Sequence, residues 1–213
     1  MQRSVVSAAI LACMLAMLFP AQKARAHDGH RRLAVLEQTL LTVARGESLR
    51  VPALAATDNT VFGPERLRGH WSVIFFGFTS CPDVCPTTLG VLGALARDPG
   101  SGVAAGTTQI VFVSIDPEHD TLKRVKSYLE PFGAGIVGLT GSRDAIDRFS
   151  AAVGAAYRPA GAAIDHSTSL FVVDPQGRLA GILLRPSNPA RIVADLRTLR
   201  TTDTGHPHAS PGR

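Results

Sequence analysis

Two cysteines four positions apart, Cys81 and Cys85, are the residues of this sequence best equipped for chemistry. They stand in the segment Thr79-Ser80-Cys81-Pro82-Asp83-Val84-Cys85, between an apolar run and a stretch that reads as a helix starting at Pro86. A helix N-terminus offers free N–H groups and the positive end of its dipole, both of which favour thiolate over thiol. Two thiolates on a short loop can converge on one ion. Sulfur ligands select soft metals, and Cu(I) accepts a low coordination number that two sulfurs and one imidazole complete. The same pair could exchange electrons as a dithiol–disulfide couple, or close a small loop as a passive bridge of modest stabilising effect. Spacing alone does not choose among these.

His166 shifts the balance towards a metal. It lies in Ile164-Asp165-His166-Ser167-Thr168, at the entrance to an apolar run. An isolated histidine there is ordinarily a hydrogen-bonded loop residue. A fold that brings this strand entrance beside the cysteine loop makes it the third member of a Cys2His set, although 81 residues separate it from Cys85. Asp165 or another oxygen could then fix the other ring nitrogen. The remaining candidates are weaker. His27 and His30 could chelate Cu(II) next to a new amino terminus, or be accidental polar sequence. His206 and His208 read as a solvated tail, and His70 as structural. Asp116 either approaches the site or caps the next helix. Asp83 tunes the cysteine loop or only solvates it.

These residues need elements to place them. Trp71 to Phe78 is an unbroken apolar run, the signature of a strand buried on both faces. A helix is expected from Pro86 to the stop at Asp98-Pro99-Gly100, where a proline in the first turn costs no hydrogen bond. Gln109–Ile115 reads as a second buried strand, followed by helices at about Asp120–Glu130 and Ser142–Val153. A strand at Thr168–Val173, a turn at Pro175–Arg178, a strand at Leu179–Leu184 and a helix at about Pro189–Leu199 complete the order. Residues 27–49 read as a linker, with Leu33, Leu36 and Leu40 suggesting at most a short helix. Two apolar strands joined through a helix imply a right-handed parallel crossover, and the later hairpin adds an antiparallel pair. The expectation is an α/β, thioredoxin-like, three-layer α/β/α sandwich around a mixed central sheet.

Composition narrows the setting. The formal charge of +5 suggests nucleic acid, but residues 1–26 hold Arg3, Lys23 and Arg25 and no acid, so without them 19 basic residues face 17 acidic ones. No nucleic-acid surface is expected from so small an excess. Residues 1–26 themselves read as a signal peptide, with an apolar core from Val5 to Phe19 and the small-x-small site Ala24-Arg25-Ala26. Kept uncleaved, residues 4–21 would tether the chain to a membrane. Either way the folded part faces an extracytoplasmic space: periplasmic, or anchored to the outer face of the inner membrane. Cleavage also removes Cys13, leaving Cys81 and Cys85 alone.

The stretch FFGFTSCPDVCPTTL (Phe75–Leu89) resembles the copper-binding segment of the Sco/SenC proteins. VSIDPEHDT (Val113–Thr121), GLTGS (Gly138–Ser142) and DHSTSLFVVDPQG (Asp165–Gly177) follow in that family's order. The resemblance covers roughly residues 50–200, which it implies are a thioredoxin-like copper-binding domain; the polar stretch 201–213 after it reads as a flexible tail. It further implies that Cys81, Cys85 and His166 bind copper, as Cu(I), Cu(II) or both. The implied role is a chaperone without turnover in cytochrome c oxidase assembly. Such a protein supplies copper to the dinuclear centre of subunit II, or keeps that centre's cysteines reduced. Other periplasmic copper carriers or thiol reductants would be its further partners. His119 departs from the pattern, standing where arginine is common. The alternative is a thiol–disulfide oxidoreductase using Cys81 and Cys85, for which His166 would be dispensable. A peroxidase of the peroxiredoxin type would need Pro-x-x-x-Thr-x-x-Cys, which precedes neither cysteine.

Overall fold

A strand apolar at every position must sit where both faces are covered, and the run from Trp71 does so at the centre of a sheet. The computed structural model describes residues 39–160, 163–166 and 168–203, all within one compact unit, Leu36–Arg213. In chain order the strands are β1 (Thr39–Thr42), β2 (Leu54–Ala56), β3 (Val61–Phe62), β4 (Trp71–Gly77), β5 (Thr108–Ser114), β6 (Ile136–Thr140), β7 (Tyr157–Ala160), β8 (Ala163–His166), β9 (Leu170–Val173) and β10 (Leu179–Leu184). The α-helices are α1 (Val84–Arg97), α2 (Leu122–Leu129), α3 (Arg143–Val153) and α4 (Pro189–Asp203).

Eight strands form one mixed sheet in the order β1-β10-β9-β4-β5-β6-β2-β3, and β7 and β8 pair separately as a hairpin. The centre, β4, β5 and β6, is parallel, with α1 and α2 as the crossovers. The flanking pairs, from β9 outward on one side and β2 on the other, are antiparallel. Consecutive residues of a strand point to opposite faces, and Phe75 and Phe76 divide the core accordingly. Phe75 packs on Phe112, which meets Tyr128 of α2 on one face. Phe76 meets Phe149 of α3 edge-on across the other. Helices therefore cover both faces of the sheet, which is the three-layer thioredoxin-like α/β arrangement expected from the sequence.

Several local details differ from expectation. Thr39–Thr42, inside the stretch read as a linker, is an edge strand paired with β10, Thr39 opposite Leu184. Leu40, one of three leucines that suggested a short helix, is in that strand, while Leu33 and Leu36 lie outside the described residues. Three of its four residues are exposed, so no apolar pattern marks it. Helix α1 begins at Val84 rather than Pro86, with the Thr87 N–H bonding the Asp83 carbonyl at 3.2 Å. Cys85 is thus in its first turn, where amides have no intrahelical acceptor and Pro86 removes none that is needed. Helix α4 runs on to Asp203, past the expected start of the tail. Residues 1–26, His27, His30, His206 and His208 lie outside the described residues. Among those described, no helix is long and apolar enough to cross a membrane.

Candidate metal centre

Strand β4 ends at Gly77, and the chain turns through a short loop that delivers Cys81 to the start of α1. Neither Cys81 nor Cys85 is in a disulfide. The Cys85 amide N–H donates to Cys81 Sγ at 3.4 Å, so a first-turn amide of α1 is spent on sulfur. Cys85 Sγ rests over Gly77: a methyl group there would come within 2.9 Å of both that sulfur and the Phe112 ring. The close approach of sulfur, ring and strand therefore requires glycine at 77. Both cysteines are buried, Cys85 wholly and Cys81 with 8% of its surface left exposed. Burial above all pushes the Cys85 thiol well above its ordinary range; the Phe78 backbone bond opposes this, and Cys81 and Asp120 add to it. For this cysteine the sequence argument from the helix dipole is outweighed: desolvation favours the neutral thiol.

The loop before Cys81 is fastened to the end of β5 by a buried carboxylate. Asp120 accepts the Thr79 N–H at 2.9 Å, the Thr79 hydroxyl at 2.5 Å and the Ser114 hydroxyl at 2.6 Å. Arg124 lies 3.7 Å from the same carboxylate and donates to the hydroxyls of Thr79 at 2.7 Å and Ser80 at 3.0 Å. Sequence reasoning took Asp120 as the start of a helix; instead Thr121 caps α2 by accepting the Arg124 N–H. A charged residue wedged between Pro117 and a cap carries no periodic signal, so its burial was not legible. Tyr128 was missed too. Its spacing with Val125 and Leu129 puts it on the inner face of α2, but nothing in the pattern marks its hydroxyl. That hydroxyl is buried with no hydrogen-bond partner, and burial above all holds the phenol protonated.

His166 ends β8, directly opposite Tyr157 of β7. Its backbone is described and its imidazole is not, nor is the side chain of Asp165. Hydrogen bonds run from the end of β4 to Tyr157, the strand partner of His166. Gly77 accepts the Ile115 N–H at 2.9 Å, and Ile115 accepts Arg143 at 2.7 Å. Arg143 also donates to the Tyr157 hydroxyl at 3.3 Å, and that hydroxyl in turn donates to Asp147. Among the described residues no three His, Cys, Asp or Glu side chains converge as a metal cage. The described donors are two adjacent sulfurs, which suit a soft ion and not an oxygen-seeking one.

The lesser candidates resolve individually. Asp116 neither caps α2 nor bonds the cysteine loop; its carboxylate bonds His119 Nδ1 at 2.9 Å, and that bond raises the readiness of His119 to hold a proton. His70 Nε2 sits 3.0 Å from the Arg66 carbonyl, the structural part expected of it. Asp83 is exposed at the N-cap of α1 and makes no capping bond with its side chain.

With this arrangement in view, likeness to known proteins can be weighed. Residues 53–201 match the SCO1/SenC family. A putative copper-binding protein from Stutzerimonas stutzeri is 34% identical over 165 residues, covering 73% of this chain and 78% of that protein. The human mitochondrial SCO1 homolog is 31% identical over 136 residues, 61% of this chain but only 45% of the human protein. Among solved structures, copper-bound ScoI from Arabidopsis thaliana superposes with a TM-score of 0.62 at 27% identity, covering 71% of this chain and 99% of that one. The match extends from β2 into α4, over all the elements that carry the two thiols. This chain belongs to the SCO1/SenC family.

Proposed function

We propose that this protein binds one copper ion through the sulfurs of Cys81 and Cys85 and the imidazole of His166. It then hands the metal to the dinuclear copper centre of cytochrome c oxidase subunit II, or prepares that centre's cysteines, during assembly of the oxidase. The work is done outside the cytoplasm, with residues 1–26 as export signal or membrane tether. The observation that carries the reading is the pair of buried, unlinked thiols at the start of α1. The hydrogen bonds from Gly77 to Tyr157, which pairs with His166 in the β7–β8 hairpin, support the third ligand. The copper-binding relatives of the family point to the same ion.

Copper here is cargo, and the chain's own part is to hold and surrender it. Cys85 keeps its proton in the buried site, so a metal must displace that proton, and uptake is accompanied by proton release. Cys81 is the less deeply buried of the two, and a ligand exchange with a partner can begin there. Copper stoichiometry and absorption of the purified protein, beside His166→Ala, test the proposal. The parent is expected to bind one copper with a sulfur-to-Cu(II) charge-transfer band. The variant should lose about 10- to 100-fold in affinity or change its spectrum. An unchanged spectrum and affinity in His166→Ala, together with fast thiol exchange, would favour the second reading, a thiol–disulfide oxidoreductase. The adjacency of the two free thiols keeps that reading in contention.

A further inference from the structure

The β7–β8 hairpin stands apart from the main sheet: among the described residues its two strands pair with each other and with none of the other eight. A two-stranded hairpin alone is marginal in water, so strands of four residues each keep their place through what fastens them to the body. Packing does only part of this. Residues of α3 and β7 line an open cleft of about 510 Å3, and its apolar lining is the short side chains of Ala151, Ala155 and Ala156. The polar fastening converges on Tyr157. Its hydroxyl donates to Asp147 and accepts from Arg143 at 3.3 Å, and the Arg143 guanidinium stands 5.9 Å from the centre of its ring. Both of these partners belong to α3, one turn apart. The same Arg143 nitrogen donates to the Ile115 carbonyl at 2.7 Å, and Glu118 pairs with the rest of the guanidinium. The Ile115 N–H in turn bonds Gly77, where the chain leaves β4 for the cysteine loop. One side chain thus reaches both the base of that loop and the hairpin.

The geometry points to Arg143 as a positioning residue of the copper site: by gripping the Ile115 carbonyl and the Tyr157 hydroxyl at once, it sets where the strand end at His166 stands relative to the cysteine loop. Tyr157 lies directly opposite His166 in the hairpin. Residues so paired in antiparallel strands have Cα atoms about 4.5–5.5 Å apart, so a shift of Tyr157 carries the His166 backbone with it. A guanidinium suits the task because its planar fork serves several acceptors in fixed directions. Lysine would keep the charge facing Glu118 but is a point donor on a flexible stem, unable to hold both acceptors in register. Tyr157→Phe cuts the same link from the other side by removing one oxygen.

This role rests on His166 being a copper ligand, as proposed above, and a double-mutant cycle tells the two failures apart. Cu(I) affinity of the full-length protein is measured by chelator competition for the parent, Arg143→Lys, His166→Ala and the double variant. Arg143→Lys is expected to bind Cu(I) about 10-fold more weakly than the parent, and to cost nothing further in the His166→Ala background. Its Cu(II) form should show altered nitrogen hyperfine splitting in electron paramagnetic resonance, which a general loss of stability would not produce. In the metal-free protein the hairpin amides should exchange with solvent about 10-fold faster, the worth of one hydrogen bond, while those of β4 and β5 keep the parental rate. Losses of affinity that add in the double variant overturn the inference and leave the copper reading intact, since Arg143 then acts otherwise than through His166. Affinity or hairpin exchange untouched by Arg143→Lys overturns it too. A His166→Ala variant that binds Cu(I) as the parent does overturns both readings. Should Arg143→Lys fail to fold, Tyr157→Phe takes its place in the cycle and is expected to give the same pattern.

Discussion

At the scale of single residues, the site is governed by what burial does to acids. Cys85 and Asp120 are both fully buried, yet they meet that condition differently. Cys85 stays a neutral thiol because desolvation outweighs the nearby helix end. Asp120 is surrounded by three donated hydrogen bonds, from Thr79 twice and Ser114 once, which is how a carboxylate is accommodated in a core. Replacing Asp120 with Asn keeps the shape but turns one acceptor oxygen into a donor facing donors. The expected cost is about 2–3 kcal/mol of stability, the worth of one or two bonds to a charged group. The same change removes a negative neighbour of Cys85, so its thiol should ionise at lower pH than in the parent. Urea unfolding and the pH dependence of Cys85 alkylation in a Cys81→Ser background read the two effects. A variant as stable as the parent, with unaltered thiol reactivity, would mean that Asp120 does not fasten the loop.

At the scale of elements, the site depends on how closely α1 and α2 are packed against the sheet. Gly93 of α1 faces the carbonyl of Phe132 in the 3-10 turn Glu130–Phe132, and a Cβ there would overlap that oxygen. Glycine to alanine within a helix ordinarily gains about 1 kcal/mol. Here a backbone carbonyl that cannot swing aside blocks the methyl, and overpacking of that kind costs about 1–3 kcal/mol. Gly93→Ala should therefore lower the melting temperature, whereas Gly90→Ala, with nothing within 4 Å in the same helix, should raise it. Calorimetry of the two variants decides, and a rise for both would show that the turn yields. The contrast also marks the limit of sequence reading. The spacing of Leu89, Leu92 and Leu95 announced α1 and its buried face, and the apolar runs of β4, β5 and β9 announced three neighbouring strands at the middle of the sheet. Both glycines look alike in sequence, because the Phe132 carbonyl that distinguishes them arrives from about 40 residues away. Strands β2 and β3 escaped notice for a related reason. Two or three residues are too few to show a period, and Ala55 and Val61 owe their strand conformation to neighbours. Of the candidate site, residue types and order were legible; the Asp120 clamp and the Tyr128 hydroxyl were not, since each exists only through contacts across the fold.

At the scale of the whole molecule, folding holds the proton on one buried thiol and two phenols, and that has a pH signature. Cys85 and Tyr128 are raised chiefly by burial, and Tyr157 by burial and by its bond to Asp147. An acid whose value is raised by folding binds its proton more tightly in the native state than in the unfolded chain. Its stabilising contribution is complete below the unfolded value and is lost as pH rises beyond it. The unfolded values are about 8.5 for a thiol and about 10 for a phenol. The metal-free protein should accordingly hold its urea midpoint up to about pH 8 and lose stability steadily above it, first through Cys85 and then through the tyrosines. Copper changes the first part of that decline. A metal-bound sulfur has already given up its proton, so the loaded protein has no native thiol left to defend between the thiol and phenol ranges. Its midpoint should stay level there and fall only when the phenols begin to ionise. Urea midpoints of both forms between pH 7 and pH 10.5 would show two curves that diverge above the thiol range. Parallel curves would mean that Cys85 keeps its proton with copper present, and that the metal is held elsewhere in the chain.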